Sequence, residues 1–241
     1  MTGVQTCALP ISARLERKFS HGLQFLASYT FSHSIDNSSF AGNIGSQPAT
    51  PENNSNRRGE KGSSYFDVPQ RFVLSYVWNI PFNPGHGVVK SLLGGWQLTG
   101  ITQMQSGNPW SILISTDTAV VGTTSQRAQL VGEVYPSGFV SGGPSRLAFN
   151  KAAFALPASG TFGNTGRNIV RTAGMSNWDM GINKSFQLKE RVRLQFRGEI
   201  FNIWNHTQYL QFDNTFQNVC FGTWTSARDP RIVQFALKLL Y

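Results

Sequence analysis

The sequence predicts an all-β fold, a partial transmembrane antiparallel β-barrel with long extracellular loops. Three observations carry that expectation. Apolar and polar residues alternate with a two-residue period in stretch after stretch, which places each kind on its own face of a strand. The gaps between those stretches run short, long, short, long along the chain. Charged residues are only 14% of 241, Phe alone numbers 18, and no run approaches the roughly 18 apolar residues of a spanning helix. A barrel hides its membrane signal in alternation, so its average hydropathy looks ordinary.

Taken in order, the opening "MTGVQTCALPIS" fits no part of the pattern. It has no basic n-region and no sustained apolar run, so it makes a poor signal peptide. Residues 1–11 resemble the in-frame translation of a short-read sequencing adapter, which assigns the barrel domain to residues 12–241. An ordinary disordered N-terminus is the other reading, and the nucleotide sequence decides between them.

The first strand is "ARLERKF", closed by a tight break at His21 and Gly22. The second, "LQFLASYTFSHS", sets Leu23, Phe25, Ala27, Tyr29 and Phe31 on one face. Residues 35–67, rich in Asn, Ser and Gly, have loop composition. The third strand, "QRFVLSYVWNI", carries Phe72, Leu74, Tyr76, Trp78 and Ile80 on one face, and "PFNPGHG" breaks it. The fourth is "WQLTGITQMQS". Residues 107–177 are a very long loop whose short apolar pieces, such as residues 110–114, read as strand extensions above the sheet.

The last three strands alternate most clearly. "WDMGINKSFQL" lines up Trp178, Met180, Ile182, Phe186 and Leu188, with a turn expected at Lys189 and Glu190. "RVRLQFRGEIF" opposes Val192, Leu194, Phe196 and Ile200 to Arg191, Arg193, Gln195, Arg197 and Glu199. After the polar loop at residues 205–230, "RIVQFALKLLY" puts Val233, Phe235, Leu237, Leu239 and Tyr241 in one row. A helix would scatter these rows around its axis.

An apolar row opposite a charged row suits either a soluble sandwich or a barrel in lipid. The gaps favour lipid. If the last strand runs inward, residues 35–67, 107–177 and 205–230 all fall outside, and every short connection falls inside. That is the asymmetry of an outer-membrane barrel. Tyr29, Phe31, Phe72, Trp178 and Trp204 then lie towards outer strand ends, and Trp78, Trp96, Phe186 and Tyr241 towards inner ends, as two aromatic girdles. Lys184 disagrees, since it shares the row of Ile182 and Phe186. At mid-bilayer it costs about 2–4 kcal/mol, so either it snorkels to the inner boundary or the register is off there.

The stretches "ARLERKFSHGLQFLASYTFSHSID", "DVPQRFVLSYVWNIPF", "NWDMGINKSFQLKERVRLQFRGEIFNIWNHTQY" and "FGTWTSARDPRIVQFALKLLY" resemble the C-terminal barrel of TonB-dependent outer-membrane receptors, the Oar-like group in particular. The resemblance covers nearly everything from Ser12 onward and is weakest in the long middle loop. It implies a barrel of about 22 strands with a plugged lumen, of which this chain holds about seven C-terminal strands. It implies energy-coupled ligand uptake with no covalent chemistry, in the cell outer membrane. Partners implied are outer-membrane lipid, the TonB complex through parts not present here, and the barrel-assembly machinery, which reads a terminal strand ending on an aromatic. Leu237, Leu239 and Tyr241 fill that signal. Arg191, Arg193, Arg197 and Glu199 become lumen-facing candidates that contact the plug, line the path or pair along the wall.

Other functions find little support. The net charge of +9 is spread out, with no basic block longer than two residues and no recognition-helix or RNA-binding signature, so nucleic acid is not expected as a partner. Cys7 and Cys220 make neither a disulfide framework nor a metal cluster, and no cofactor is expected. His21, His33, His86 and His206 are isolated, and no nucleophile elbow is present, so no catalytic residue is expected. Residues 107–177 hold Arg127, Arg146, Lys151, Arg167 and Arg171 against Asp117 and Glu133, an excess that suits an anionic ligand, the lipopolysaccharide surface or plain solvation. The ligand itself is not legible. A porin or adhesin, and a soluble carbohydrate-binding β-sandwich, are the alternatives. An unclosed wall exposes strand edges, so the chain by itself is expected to aggregate.

Overall fold

The computed structural model describes residues 7–39, 51–82, 85, 87–123 and 126–241. Its main element is one seven-stranded sheet, built from β1 (Ile11–Ser20), β2 (Leu23–Phe31), β3 (Gln70–Asn79), β4 (Trp96–Gln105), β5 (Met175–Lys189), β6 (Val192–Phe201) and β7 (Ile232–Leu240). A six-residue helix, α1 (Val88–Leu93), lies between β3 and β4. Each strand pairs antiparallel with its neighbours in sequence, so the sheet is an up-and-down meander. The sheet does not close: β1 and β7 are its two edges.

Local chemistry sets the inner turns. His21 and Gly22 both take positive φ, 51° and 80°, the requirement of a tight type I′ hairpin. Gly22 is also pressed against β3, where an added Cβ would stand 2.8 Å from the Asn79 carbonyl oxygen. Between β5 and β6 the register shifts at Lys189, which pairs with Val192. The strand therefore runs on through Lys189, and the turn falls on Glu190 and Arg191, one residue later than the sequence suggests.

Register joins the alternating rows into two continuous faces. Tyr76 faces Phe25 and Gly100; Gly100 faces Met180, which faces Ile200, which faces Val233. One level inward, Trp78, Leu98, Ile182, Gly198 and Phe235 stand side by side. Glycines in this apolar face are covered by rings from the next strand. Tyr76 lies across Gly100, and Phe235 lies across Gly198 while stacking on Phe196 at 6.1 Å. From Trp178 to Phe186, β5 advances ~27 Å at about 3.4 Å per residue. At a tilt of about 40° that is ~20 Å of depth, the order of the about 25 Å apolar band of an outer-membrane barrel.

Apart from the end of α1 at its inner margin, nothing in the described residues covers this face. Phe235 and Leu237 are 73% and 70% exposed, and Val233, Leu239 and Ile182 are exposed as well. A sandwich would bury that row against a second layer. Instead the buried apolar residues all lie in the outer loops, around Phe149, Phe154, Phe212, Phe221, Trp110 and Trp224. The short apolar pieces expected as strand extensions, residues 110–114 among them, instead condense with apolar residues of the last loop into a packed cap above the rim.

An exposed apolar face meant for lipid responds to charge in a position-dependent way. Phe235→Arg is expected to cost the assembled protein about 2–4 kcal/mol in denaturant unfolding from vesicles. Gln234→Arg, one residue away on the opposite face beside Glu199, stays within about 0.5 kcal/mol. Equal costs at the two positions would contradict the assignment of faces.

Lys184 keeps the register expected from the sequence, pairing with Trp96 on one side and Phe196 on the other. Its side chain leans to the inner end, where Nζ donates to the carbonyls of Leu92 (3.1 Å) and Gly94. Arg17, on the same face of β1, likewise turns inward, to the Ser20 carbonyl at 3.4 Å.

Candidate functional site

Two surfaces lie away from the uncovered apolar face: the polar face of the sheet and the cap. On the polar face, Arg197 and Glu199 are two apart on β6 and bond to each other through Arg197 Nε and Glu199 Oε1 at 2.7 Å. Gln234 on β7 donates to the other oxygen of Glu199. Arg193 donates to Gln187 of β5 at 3.2 Å. Three of the four residues read as a lumen row are thus on one face of β6, and each bonds along or across the wall. Arg191 is not among them, because it sits in the turn. Leu237 and Leu239 lie in the apolar row of β7, and Tyr241 follows it, 98% exposed.

The same face extends beyond the expected lumen row, with Ser75, Val77, Thr99, Ile101 and Asp179 not anticipated from the sequence. Gln24, Leu26, Ser75, Val77, Thr99, Ile101, Asp179, Arg197 and Glu199 surround a groove of about 470 Å³. Leu26 and Ile101 both pair with Ser75, and Ile101 pairs also with Asp179, so their position on the inner face is fixed by register. Ile101 interrupts the alternation of β4, which is why that strand reads least clearly from sequence.

The cap is tied down by charge. Arg127 bridges two acidic side chains from residues 51–69: Nη2 donates to Glu52 at 3.2 Å, and Nη1 donates to Glu60 at 2.9 Å. Its Nε donates to the Thr165 carbonyl at 3.0 Å, and its backbone N–H to Glu52 at 2.7 Å. All three side chains are buried. Arg167 pairs with Asp36 and donates to the Glu60 carbonyl at 2.7 Å. Arg171 pairs with Asp67 and donates to the Gly107 carbonyl at 3.0 Å. Three of the five basic residues of the long loop are therefore spent on holding it to the preceding loop. The basic excess is mostly an internal fastening, and the reading of these arginines as a patch for an anionic ligand loses its basis.

Burial and partners pull these carboxyls in opposite directions. Burial is the largest influence on Asp67 and pushes it up. The hydrogen bonds from Arg171 and the Ser34 amide, with the charges of Arg171 and His33, outweigh it and hold Asp67 below its ordinary 3.8. Burial dominates at Glu52 and, with the nearby Glu60 charge adding to it, raises it above 4.5 despite the charge and backbone amide of Arg127. A depressed carboxyl contributes stability that is present above 3.8 and lost as pH falls through its folded value. A raised one contributes stability that is present below 4.5 and lost as pH rises through its folded value. Protection of the Ser34 amide from hydrogen exchange, corrected for intrinsic rate, is therefore expected to fall on acidification below 3.8, and Asp67→Asn is expected to abolish that fall. Persistence of the acid-side loss in Asp67→Asn would contradict the assignment.

Between cap and rim, Tyr135, Ile169, Arg171, Thr172 and Tyr209 line a second cavity of about 460 Å³. Tyr209 is held flat on Trp224, 5.1 Å between ring centres. Among the described residues no group of His, Cys, Asp and Glu is placed to hold a metal ion, and no helix is long and apolar enough to cross a membrane by itself.

No curated protein and no solved structure matches the chain. A family model does: the outer membrane beta barrel domain matches residues 11–234, which includes six strands complete and the first three residues of the seventh. The match begins at Ile11, the residue that opens β1 opposite Phe31. An open antiparallel meander, an uncovered apolar face, a polar inner face and a cap on the long-loop side agree with that match, and the chain belongs to the outer membrane beta barrel domain family and resides in the outer membrane.

Proposed function

We propose that the chain is wall and outer cap of a TonB-dependent transporter, in which a plug fills the lumen and inner-membrane energy moves it to admit a ligand. The observation that carries this reading is the composition of the inner face. Ile101 is 45% exposed there, in the same groove as Leu26, Val77, Asp179 and Glu199. A water-filled passive pore favours a polar lining. An exposed apolar patch rimmed by polar and charged side chains is the make-up of a protein-binding surface, and in this reading a folded plug is the protein that occupies it. The two open edges support the same reading, because lipid does not tolerate unpaired strands, so further strands complete the wall.

In this account the wall performs no covalent chemistry. Arg193, Arg197 and Glu199 hold the plug side of β6 polar, and the loops of the cap meet the ligand. TonB engages through the plug and not through this sheet. Leu237, Leu239 and Tyr241 present β7 to the assembly machinery.

The test is electrical and uses the complete gene product in a planar bilayer. A plugged transporter is expected to be silent in native buffer, to conduct when urea loosens the plug, and to retain the periplasmic domain of TonB on a column. Steady conductance in native buffer without TonB retention would replace this reading with a passive porin.

A further inference from the structure

The inner connection between β3 and β4 holds a helix that a simple periplasmic turn does not need. We propose that α1 is a membrane foot: it lies in the plane of the periplasmic leaflet, in the phospholipid headgroup and upper acyl region, clamped to the lipid-facing wall by Lys184 and Trp96.

The placement follows from three contacts. Trp96 Nε1 donates to the Leu92 carbonyl at 3.1 Å. Lys184 Nζ donates to the same carbonyl at 3.1 Å and to that of Gly94, the residue that caps the helix. Both side chains belong to the apolar face, since Lys184 pairs with Trp96 and shares the row of Ile182 and Phe186. The end of α1 therefore rests over the lipid side of the wall, not over the lumen. A cation at a helix C-terminus answers the orphan carbonyls and the negative end of the helix dipole. Nζ also sits 5.0 Å from the ring centres of both Trp96 and Phe186. The result is a lysine only 3% exposed in a face that should hold no charge.

What the helix then offers outward is apolar. Val89, Leu92 and Leu93 are 54%, 54% and 51% exposed, and Phe82 just before them is 55% exposed. The helix end that carries them is held on the face of the sheet to which Ile182, Phe235 and Leu237 also belong. That surface faces lipid in this family, and the inner girdle of Trp78, Trp96 and Phe186 marks the boundary where α1 begins. Lys90 stays exposed, as a residue in reach of headgroup phosphate does. Continuity with the lipid-facing wall therefore selects phospholipid as the occupant rather than a protein partner. The lysine that looked misplaced in the sequence is the fastening of this foot.

The test places one bimane label at a time on the complete protein, with Cys7 and Cys220 replaced by serine, in phosphatidylethanolamine–phosphatidylglycerol vesicles brominated near the top of the acyl chains. Labels at Leu92→Cys and Leu93→Cys are expected to be quenched like one at Phe235→Cys, while one at Glu190→Cys in the turn is not. In Lys184→Met/Trp96→Phe, quenching at Leu92 is expected to be lost and that at Phe235 kept, which shows the wall intact. Leu92 labels quenched by aqueous iodide instead of bromolipid would overturn the proposal. So would labels shielded from both, which would mean that protein covers the helix, or quenching that persists at Leu92 in the double variant.

Discussion

Replacing Arg127 with methionine is expected to cost the cap about 3–5 kcal/mol of local stability. The guanidinium is the shared partner of Glu52 and Glu60, and its removal leaves two buried carboxylates facing each other without a cation. The penalty comes from those stranded charges and not from any large intrinsic worth of the bridge. The triple variant Arg127→Met, Glu52→Gln, Glu60→Gln is therefore expected to regain most of the loss. Hydrogen exchange in residues 52–60 and 126–130 reports the effect, because the bonds of Arg127 to Glu52 and Glu60 join these segments. Exchange in β5 and β6 should not change. A loss below about 1 kcal/mol would mean that the pair behaves as a surface bridge and that the loops are separate.

Phe149→Ala is expected to be comparably damaging, about 3–5 kcal/mol. The ring is fully buried and meets Phe154, Phe212 and Phe221 edge to face, each at 5.3 Å between centres. Those partners come from two different loops, residues 107–174 and 202–231, so one cavity weakens the joint between them. Phe149→Leu keeps most of the volume and should cost less. Limited proteolysis should cut the cap of the alanine variant first, while the barrel keeps its resistance to unfolding by detergent and heat. Loss of barrel and cap together would show that the two are one cooperative unit.

Much of the wall was legible before any coordinates. The two-residue period in "RVRLQFRGEIF" and in the closing strand assigns faces that register then reproduces across the sheet, from Val233 to Tyr76. Strands report themselves in this way because each side chain's face is set by its own position. The turn at Arg191 was missed because a bulge at Lys189 inserts a residue without altering composition. The cap was missed for a deeper reason. Phe149, Phe212 and Trp110 are far apart in sequence, and each lies in a segment rich in Gly, Ser and Asn with no period to read. Their association is a matter of tertiary packing. The arginines followed the same logic: Arg127, Arg167 and Arg171 look like surplus charge until the acids that answer them, about 70 to 130 residues upstream, are brought alongside. Lys184 shows the reverse, an apparent conflict in the sequence that marks the place where the helix docks.

The claim on which the rest depends is that the Phe, Leu and Val rows contact hydrocarbon while the charged rows turn inward. A nitroxide scan of β6 in the complete protein, embedded in native outer-membrane lipid, tests it most directly. Oxygen accessibility is expected to peak at Leu194, Phe196 and Ile200 and to fall at Arg193, Gln195, Arg197 and Glu199, with a two-residue period. A flat profile, or one that peaks on the arginine row, would contradict the account.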